Sequence, residues 1–285
     1  MRAAARRPLA ERLGVCSWSL RARTPTELAR RVRATGLERL QLGLDPLRRG
    51  AWRVTEVERA LAAAKLQLCS AMLGFAGEDY STPASIAATG GLRPTAHWAE
   101  NLARVRAVAA LAWRLRLPLV SFHAGFLPRD RRDPERALMV GRLAQVTEIF
   151  AAHGVGVALE TGQEDTETLL AVLAETGHPG LGVNFDPANL LLYGTGEPLE
   201  ALAALLPVLR QVHVKDARRS SAPGEWGQEV AVGDGEVDWP GCLALLERAG
   251  FDGELMIERE AGSDRVADVQ TARVRLLQWA ATVPA

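Results

Sequence analysis

Four short segments in the second half of the chain carry residues that can bind a metal ion or move a proton. Glu160, Asp186 and Glu258 each close such a segment, and His213 lies three residues before the end of another. Within each segment, apolar residues alternate with small or polar ones, which is the pattern of a strand with two different faces. The segments are VGVALE, LGVNFD, QVHVKD and ELMIE. We expect the apolar faces to contact helices and the polar faces to converge.

Three carboxylates and one imidazole in a pocket of low dielectric cannot all stay ionised without a compensating cation, because burial and mutual repulsion raise the carboxyl pKa values. Alone, each residue would be interpreted as the partner of a basic side chain, but the four together favour a shared metal. Carboxylates with a single histidine suit Mn²⁺, Mg²⁺ or Co²⁺, with Zn²⁺ as an alternative. The residue types therefore predict one divalent metal ion, and Mn²⁺ is the first choice among these.

The elements that must position these residues alternate regularly along the chain. Eight β-prone segments are predicted at residues 13–19, 39–44, 66–73, 119–123, 155–160, 181–186, 211–215 and 254–258. Eight helical segments are predicted near residues 24–35, 54–64, 94–116, 134–152, 164–176, 197–206, 239–249 and 263–281. This alternation predicts an α/β protein with one (β/α)8 TIM barrel over residues 1–285, of which residues 1–12 form a flexible N-terminal extension.

The barrel has one rival, an open doubly wound sheet. No GxGxxG or GxxxxGK[ST] motif follows any predicted strand, so the usual nucleotide-binding forms of that fold are disfavoured. Active sites of TIM barrels lie at the carboxyl ends of the strands, where Glu160, Asp186, His213 and Glu258 are predicted. The longest connection, residues 74–91, is either a lid over that site or a surface loop without function.

Composition narrows the class of function. The 34 basic residues balance the 34 acidic residues in a chain that is 48% hydrophobic, so no overall positive field attracts a nucleic-acid backbone. No apolar run of membrane-spanning length and no signal peptide is present, which predicts a cytoplasmic protein without a membrane partner. Cys16, Cys69 and Cys242 are far apart, so neither a disulfide framework nor a cysteine zinc site is expected. Homo-oligomer formation is left open.

Five motifs in a fixed order resemble those of the xylose-isomerase-like TIM barrel superfamily of sugar phosphate isomerases and epimerases. They are LGVCSWSL (13–20), LETGQE (159–164), NFDPANL (184–190), HVKDA (213–217) and IERE (257–260). The resemblance extends over nearly the whole chain. It implies that Glu160, Asp186, His213 and Glu258 bind one Mn²⁺ or Co²⁺, and that Glu160 and Glu258 also form the catalytic proton-transfer pair.

The same resemblance implies three substrate-binding residues by their spacing from the ligands: Glu164, Asn189 and Arg219. Ketohexose 3-epimerases of the superfamily usually have His where this chain has Asn189, which argues against a free ketohexose. Related apurinic endonucleases need many histidines for three zinc ions. This chain has only five histidines and no net charge, so nucleic-acid cleavage is not expected.

The implied function is a divalent-metal-dependent sugar isomerase or epimerase that acts through a metal-stabilised enediolate. Its substrate would be a small sugar, a polyol or a related hydroxy-carbonyl compound, with the carboxylate of Glu160 on one face and that of Glu258 on the other. Two alternatives remain. One is an inosose-dehydratase-like lyase, since the superfamily contains inosose dehydratases, and the other is a catalytically inactive barrel that binds a polyol or carbohydrate.

Three further residues are candidates for substrate binding. His123, at the end of the fourth predicted strand, either polarises a substrate oxygen or is a buried structural histidine. Trp18 forms an apolar wall for a sugar or packs in the core. Lys215 shares the strand face of His213 and either binds a substrate oxygen or carboxylate, or pairs with Asp216 or Glu258.

Glu260 competes with Glu258 for the role of fourth metal ligand. The two glutamates have the same strand parity, but Glu260 lies about 6 to 7 Å further along and beyond the predicted strand. Position therefore favours Glu258.

Overall fold

Eight of the apolar segments form parallel strands that close into a barrel, so the predicted (β/α)8 fold is confirmed. The structure, a computed structural model, describes residues 6–222 and 224–282. The barrel strands are β1 (Leu13–Cys16), β2 (Arg39–Gly43), β3 (Gln67–Met72), β4 (Leu119–Phe122), β5 (Gly156–Glu160), β6 (Leu181–Phe185), β7 (Leu209–Val214) and β10 (Leu255–Ile257). Strand β1 pairs with both β2 and β10, which closes the barrel. Outside it, β8 (Asp216–Arg218) and β9 (Gln228–Val230) form an antiparallel pair.

Helices follow the barrel strands and cover their apolar faces. They are α1 (Pro25–Ala34), α2 (Asp45–Arg48), α3 (Val54–Ala63), α4 (Pro83–Thr89), α5 (Trp98–Arg114), α6 (Pro134–Ala151), α7 (Thr166–Thr176), α8 (Pro187–Tyr193), α9 (Pro198–Leu205), α10 (Trp239–Arg248) and α11 (Arg265–Thr282). Among the helices of the described residues, none has the length and apolar character needed to cross a membrane.

Local sequence explains where several helices begin. The side chains of Thr24, Asp165 and Asp238 each accept a hydrogen bond from the backbone N–H three residues later, at 3.1, 2.7 and 2.9 Å. Such N-caps satisfy donors that have no partner within the helix. Proline lies in the first turn of α1 and α10, where its missing N–H costs nothing. The predicted starts of these helices agree with the structure to within about two residues.

The structure contains short elements that the sequence pattern did not predict. Helices α2, α4 and α8 have four, seven and seven residues, which is too short for a helical periodicity to stand out. Strand β1 ends at Cys16 rather than at residue 19, because Ser17–Leu20 forms a 3₁₀ helix. All of these differences lie in the connections or at strand ends, so the barrel itself is unchanged.

The inner face of the barrel is polar, as the alternating segments predicted. Ser70 Oγ donates to Gln211 Oε1 at 2.6 Å, and Gln211 Nε2 donates to Asn184 Oδ1 at 3.2 Å. Asn184 Nδ2 in turn donates to Glu160 Oε2 at 3.3 Å. Buried polar groups are tolerated when they hydrogen-bond to one another, and such networks also hold their members in one orientation. This chain of hydrogen bonds in the barrel interior holds the Glu160 carboxylate in one orientation.

Arginines attach part of the N-terminal segment to the amino-terminal end of the barrel. Arg7 Nη1 lies 2.8 Å from Glu254 Oε1, and Arg12 Nη1 donates to the carbonyl of Phe251 at 3.0 Å. The expected flexible extension covered residues 1–12, of which residues 1–5 lie outside the described part of the chain. Residues 6–12 make ion pairs and hydrogen bonds with the barrel, and the flexibility of this segment stays a prediction.

Candidate metal centre

The four residues predicted as metal ligands come together at the carboxyl end of the barrel. Glu160 is the last residue of β5, Asp186 follows β6, His213 lies near the end of β7, and Glu258 follows β10. One ligand atom from each lies within 4.8 Å of the ligand atoms of the other three. All four residues are at most 4% exposed. The strands therefore hold four potential ligands around one buried point.

The orientation of His213 is fixed by a residue on the opposite side of the barrel. Its Nε2 lies 2.7 Å from Gln41 Oε1, and the amide nitrogen of Gln41 donates to Ser121 Oγ at 2.8 Å. Since an amide oxygen only accepts, Nε2 carries a hydrogen and Nδ1 faces the carboxylates, 3.4 Å from Glu160 and 3.3 Å from Glu258. A partner on the second nitrogen is typical of metal-binding histidines. Sequence reasoning missed Gln41, although a glutamine inside a buried strand was a usable signal.

Asp186 is held by the chain that follows it. One carboxylate oxygen, Oδ1, caps α8 by accepting from the backbone N–H groups of Ala188 and Asn189, at 2.9 and 3.1 Å. The other oxygen, Oδ2, is buried and has no hydrogen-bond partner within the described residues. Glu258 Oε2 and His213 Nδ1 likewise make no hydrogen bond of normal geometry, although they lie 3.3 Å from each other. Buried polar atoms without hydrogen bonds are costly, so three of them aimed at one point fit a cation site.

The two glutamates are also positioned by hydrogen bonds. Asn189 Nδ2 donates to Glu160 Oε1 at 3.1 Å, and His123 Nε2 lies 3.4 Å from the same oxygen. Trp18 Nε1 donates to Glu258 Oε1 at 2.6 Å. Asn189, His123 and Trp18 were expected to contact substrate, and the structure places all three against the glutamate side chains.

The charges in the cluster shift the pKa values of its members. Burial raises the pKa of Asp186 well above its usual value, and Lys215 offsets this only in part. Burial also raises the pKa of Glu258, but Lys215 and His213 together hold it well below the usual value. Burial lowers the pKa of His213, yet Glu160 and Glu258 raise it well above normal overall. The metal-free cluster therefore retains protons that a divalent cation would displace.

Lys215 is buried beside the carboxylates. Its Nζ lies 2.9 Å from Glu260 Oε2, 3.3 Å from Glu258 Oε2 and 3.9 Å from Asp186 Oδ2. The alternative pairing with Asp216 does not occur. The carboxylate of Asp216 instead accepts backbone hydrogen bonds from the turn after β9, including one from Gly233 at 2.7 Å.

A cavity of about 540 Å³ opens beside the cluster. Its lining residues are Trp18, Gly43, Leu44, Asp45, Met72, Gly74, Tyr80, His123, Glu258 and Glu260. Gly74 and Tyr80 belong to the long 74–91 connection, and the Tyr80 ring lies 6.3 Å from the His123 ring. This connection thus forms one wall of the cavity. Tyr80 was not predicted as a site residue, because nothing in the loop sequence distinguishes it.

Arg219, predicted as a substrate contact, does not line this cavity. Its Nη2 lies 2.7 Å from Glu197 Oε1, and the side chain borders a separate surface cavity together with Tyr193 and Gly194. The prediction rested on its distance along the chain from His213. The β8 and β9 pair begins within that interval, and Arg219, just after β8, pairs with Glu197 instead of entering the cavity. Glu260 lies in the cavity lining but outside the four-ligand cluster, which supports Glu258 as the ligand.

Glu164, another predicted substrate contact, is buried but does not line the cavity. Burial raises its pKa from 4.5 to about 8. When folding raises the pKa of a carboxyl, the free energy of unfolding falls as pH rises from the unfolded pKa toward the folded pKa. In that interval only the unfolded chain releases the proton. Wild-type stability should therefore fall, through Glu164, between pH 4.5 and about 8.

Glu164→Gln is expected to remove this pH-dependent loss. The midpoint of thermal unfolding of the variant, relative to wild type, should be more favourable at about pH 8 than at about pH 5. Glu167→Gln, on the exposed face of α7, is the matched control and should follow the wild-type profile. Parallel profiles for wild type and Glu164→Gln would show that this carboxyl is ionised in the folded protein at neutral pH.

Comparison with known proteins places this geometry in context. A family model described as a xylose isomerase-like TIM barrel matches residues 19–279. A xylose isomerase domain protein from Planctomyces limnophilus is 32% identical, with a TM-score of 0.82, over 89% of this chain and 92% of that chain. D-allulose 3-epimerase from Methylomonas sp., in complex with D-allulose, has a TM-score of 0.71 at 16% identity, over 94% of this chain and 96% of that chain. This second likeness shows the shared fold.

Curated relatives match shorter stretches. The 3-dehydroshikimate dehydratase of Bacillus anthracis is 33% identical over 91 residues, which are 30% of this chain and 32% of that protein. The chain matches the first curated relatives over less than half of their own lengths, namely 36%, 32% and 45%.

Proposed function

The chain belongs to the xylose isomerase-like TIM barrel family, and within it we propose a divalent-metal-dependent isomerase or epimerase of a small sugar, polyol or hydroxy-carbonyl compound. One observation carries the proposal. Glu160 and Glu258 enter the same buried cluster from β5 and β10, two strands that are separated in the barrel by β6 and β7. Two carboxylates that approach from different sides are suited to removing a proton from one face of a substrate and returning it to the other.

Glu160, Asp186, His213 and Glu258 would hold the metal, with Mn²⁺ as our first choice for an oxygen-rich site with one histidine. When bound, such an ion acts as a Lewis acid that stabilises negative charge on neighbouring carbonyl and hydroxyl oxygens, as in an enediolate. The unpartnered atoms of Asp186, His213 and Glu258 support this assignment.

Glu160 and Glu258 would transfer the protons, and their neighbours keep them ready to do so. Trp18 and Lys215 contact Glu258, which lies in the cavity lining. Burial raises the pKa of Glu258, but Lys215 and His213 together lower it well below its usual value. A carboxylate that is ionised at neutral pH can accept a C–H proton. Asn189 and His123 hold Glu160 in the same way.

The shape of the cavity supports a small substrate. Its volume of about 540 Å³ lies within the usual range for small-molecule sites, and Trp18, Met72 and Tyr80 supply apolar surface. Trp18 lines the cavity, which supports its predicted role as an apolar wall, and its Nε1 also donates to Glu258, a contact that was not predicted. A small-molecule partner and a cytoplasmic location belong to the same proposal, and the balance of 34 basic and 34 acidic residues supports the absence of a nucleic-acid partner.

Solvent proton exchange tests the proposal. Metal-loaded protein incubated in D₂O with ketopentoses, ketohexoses and inososes is expected to place deuterium at a carbon next to a carbonyl, because the abstracted proton is replaced from solvent. Mass spectrometry and NMR would measure the exchange and identify the product. Boiled protein and protein treated with a chelator are the controls.

The product distinguishes the alternatives. An epimer or isomer with deuterium supports the proposal. Loss of water after exchange would indicate a lyase, an alternative supported by the match to a dehydratase. Saturable binding without exchange or dehydration would contradict the enzyme proposal and favour a carbohydrate-binding barrel.

A further inference from the structure

We propose that the cavity selects uncharged substrates and that Glu260 enforces this selection by neutralising Lys215. The inference rests on the proposed function for the location of the substrate. It narrows the substrate class to neutral sugars, polyols or cyclic polyol ketones, and it excludes phosphate esters and sugar acids.

The charges on the cavity wall are the first observation. The lining contains the acidic residues Asp45, Glu258 and Glu260, and it contains no lysine or arginine among the described residues. Asp45 is paired with Arg48 and Arg49, at 3.1 and 2.8 Å, and these arginines lie outside the lining. A phosphate or carboxylate group in the cavity would therefore meet no lysine or arginine on its wall, and His123, which also lines the cavity, already faces Glu160.

Lys215 is a buried cation beside this wall, and three carboxylates already neutralise its charge. Of its three carboxylate neighbours, Asp186 and Glu258 also belong to the metal cluster. Glu260 does not, and at 2.9 Å it is the nearest of the three to Nζ. Glu260 is thus the carboxylate that remains to neutralise Lys215 when a metal is held.

The position of Glu260 is fixed by the β8 and β9 pair. Glu229, in β9, accepts hydrogen bonds from the backbone N–H of Glu260 at 2.9 Å and from Arg259 Nη1 at 2.8 Å. These contacts hold the segment after β10 in place although the Glu260 side chain is 52% exposed. The backbone of Glu260 is therefore fixed in its position beside Lys215.

The net charge of the site follows from these contacts. One divalent ion together with Lys215 balances the three carboxylates of Glu160, Asp186 and Glu258. Glu260 then adds one negative charge to the cavity lining, which disfavours an anionic ligand there, and Arg265, near Glu260, lies outside that lining. Glu260→Gln would remove that charge and release Lys215 to pair with an anion.

Sulfate binding tests this directly, because sulfate is a dianion that resembles a phosphate ester and needs no turnover. Mn²⁺-loaded wild type and Glu260→Gln would be titrated with sulfate by calorimetry at low ionic strength. We expect the variant to bind sulfate at least about tenfold more tightly than wild type, since a charge a few ångströms away is removed in a partly buried site. Glu197→Gln removes a charge that is paired with Arg219 outside the cavity, and it should behave as wild type.

Equal sulfate affinity in wild type and Glu260→Gln would overturn the proposal, as would an equal gain in the Glu197→Gln control. Tight binding by wild type would also overturn it. Arg265→Ala would then show whether Arg265, which lies near Glu260 but outside the lining, supplies the anion site. Absence of deuterium exchange with every sugar would contradict the proposed function. The sulfate titrations would still test, independently, whether Glu260 disfavours anionic ligands.

Discussion

Replacing Glu258 by Gln is expected to lower kcat by about 10² to 10⁴, the usual contribution of a general acid–base group. The substitution keeps the size of the side chain and replaces the carboxylate by an amide, which leaves one oxygen as a weak ligand but cannot accept a proton. Excess Mn²⁺ should therefore not restore turnover. The rate of deuterium exchange, measured across a range of Mn²⁺ concentrations, checks this prediction.

Asp186→Asn is the matched comparison. Asp186 lies in the ligand cluster, but its Oδ1 is occupied by the start of α8 and the residue is outside the cavity lining. Its loss should weaken metal binding and leave both glutamates in place, so high metal concentration should restore part of the activity. If Glu258→Gln is restored by metal and Glu260→Gln is not, the base on the last strand is Glu260 and our assignment is wrong.

Removal of the metal is expected to abolish exchange and to destabilise the fold. Ligands that bind only the native state stabilise it by mass action, by about 2.7 kcal/mol at a hundredfold excess over the dissociation constant. Thermal unfolding of chelator-treated protein, before and after addition of Mn²⁺, measures this effect. Elemental analysis should find close to one divalent ion per chain. A protein without bound metal, whose unfolding is unchanged by Mn²⁺, Co²⁺, Mg²⁺ or Zn²⁺, would contradict the assignment.

The ligand cluster could be predicted from the sequence because strand geometry is strictly periodic. In β5 and β7 a residue two positions further along returns to the same face, so Glu160 and His213 must share the barrel interior with the small and polar residues before them. The closed order of the strands then brings their carboxyl ends together. Correct strand positions are therefore nearly sufficient to predict the ligand cluster.

Contacts that depend on side-chain packing across the barrel could not be predicted in the same way. Gln41 reaches His213 from β2, and nothing along either strand indicates which inner residues face each other. Arg219 illustrates the opposite problem. Its spacing from His213 matches a substrate contact, but a short antiparallel pair in the connection sends its side chain to Glu197. Loop paths depend on such local pairings, which leave little trace in the sequence.

Anomalous scattering from crystals grown with Mn²⁺ tests the central claim most directly. The account predicts one strong peak at the carboxyl end of the barrel, within about 2.0 to 2.6 Å of oxygens from Glu160, Asp186 and Glu258 and of Nδ1 of His213. A second buried group in the structure, Cys16 with His213 and Glu258, also has ligand atoms within 4.8 Å of one another. A peak bound by the Cys16 sulfur in place of Asp186, or no peak at the barrel mouth, would contradict the account.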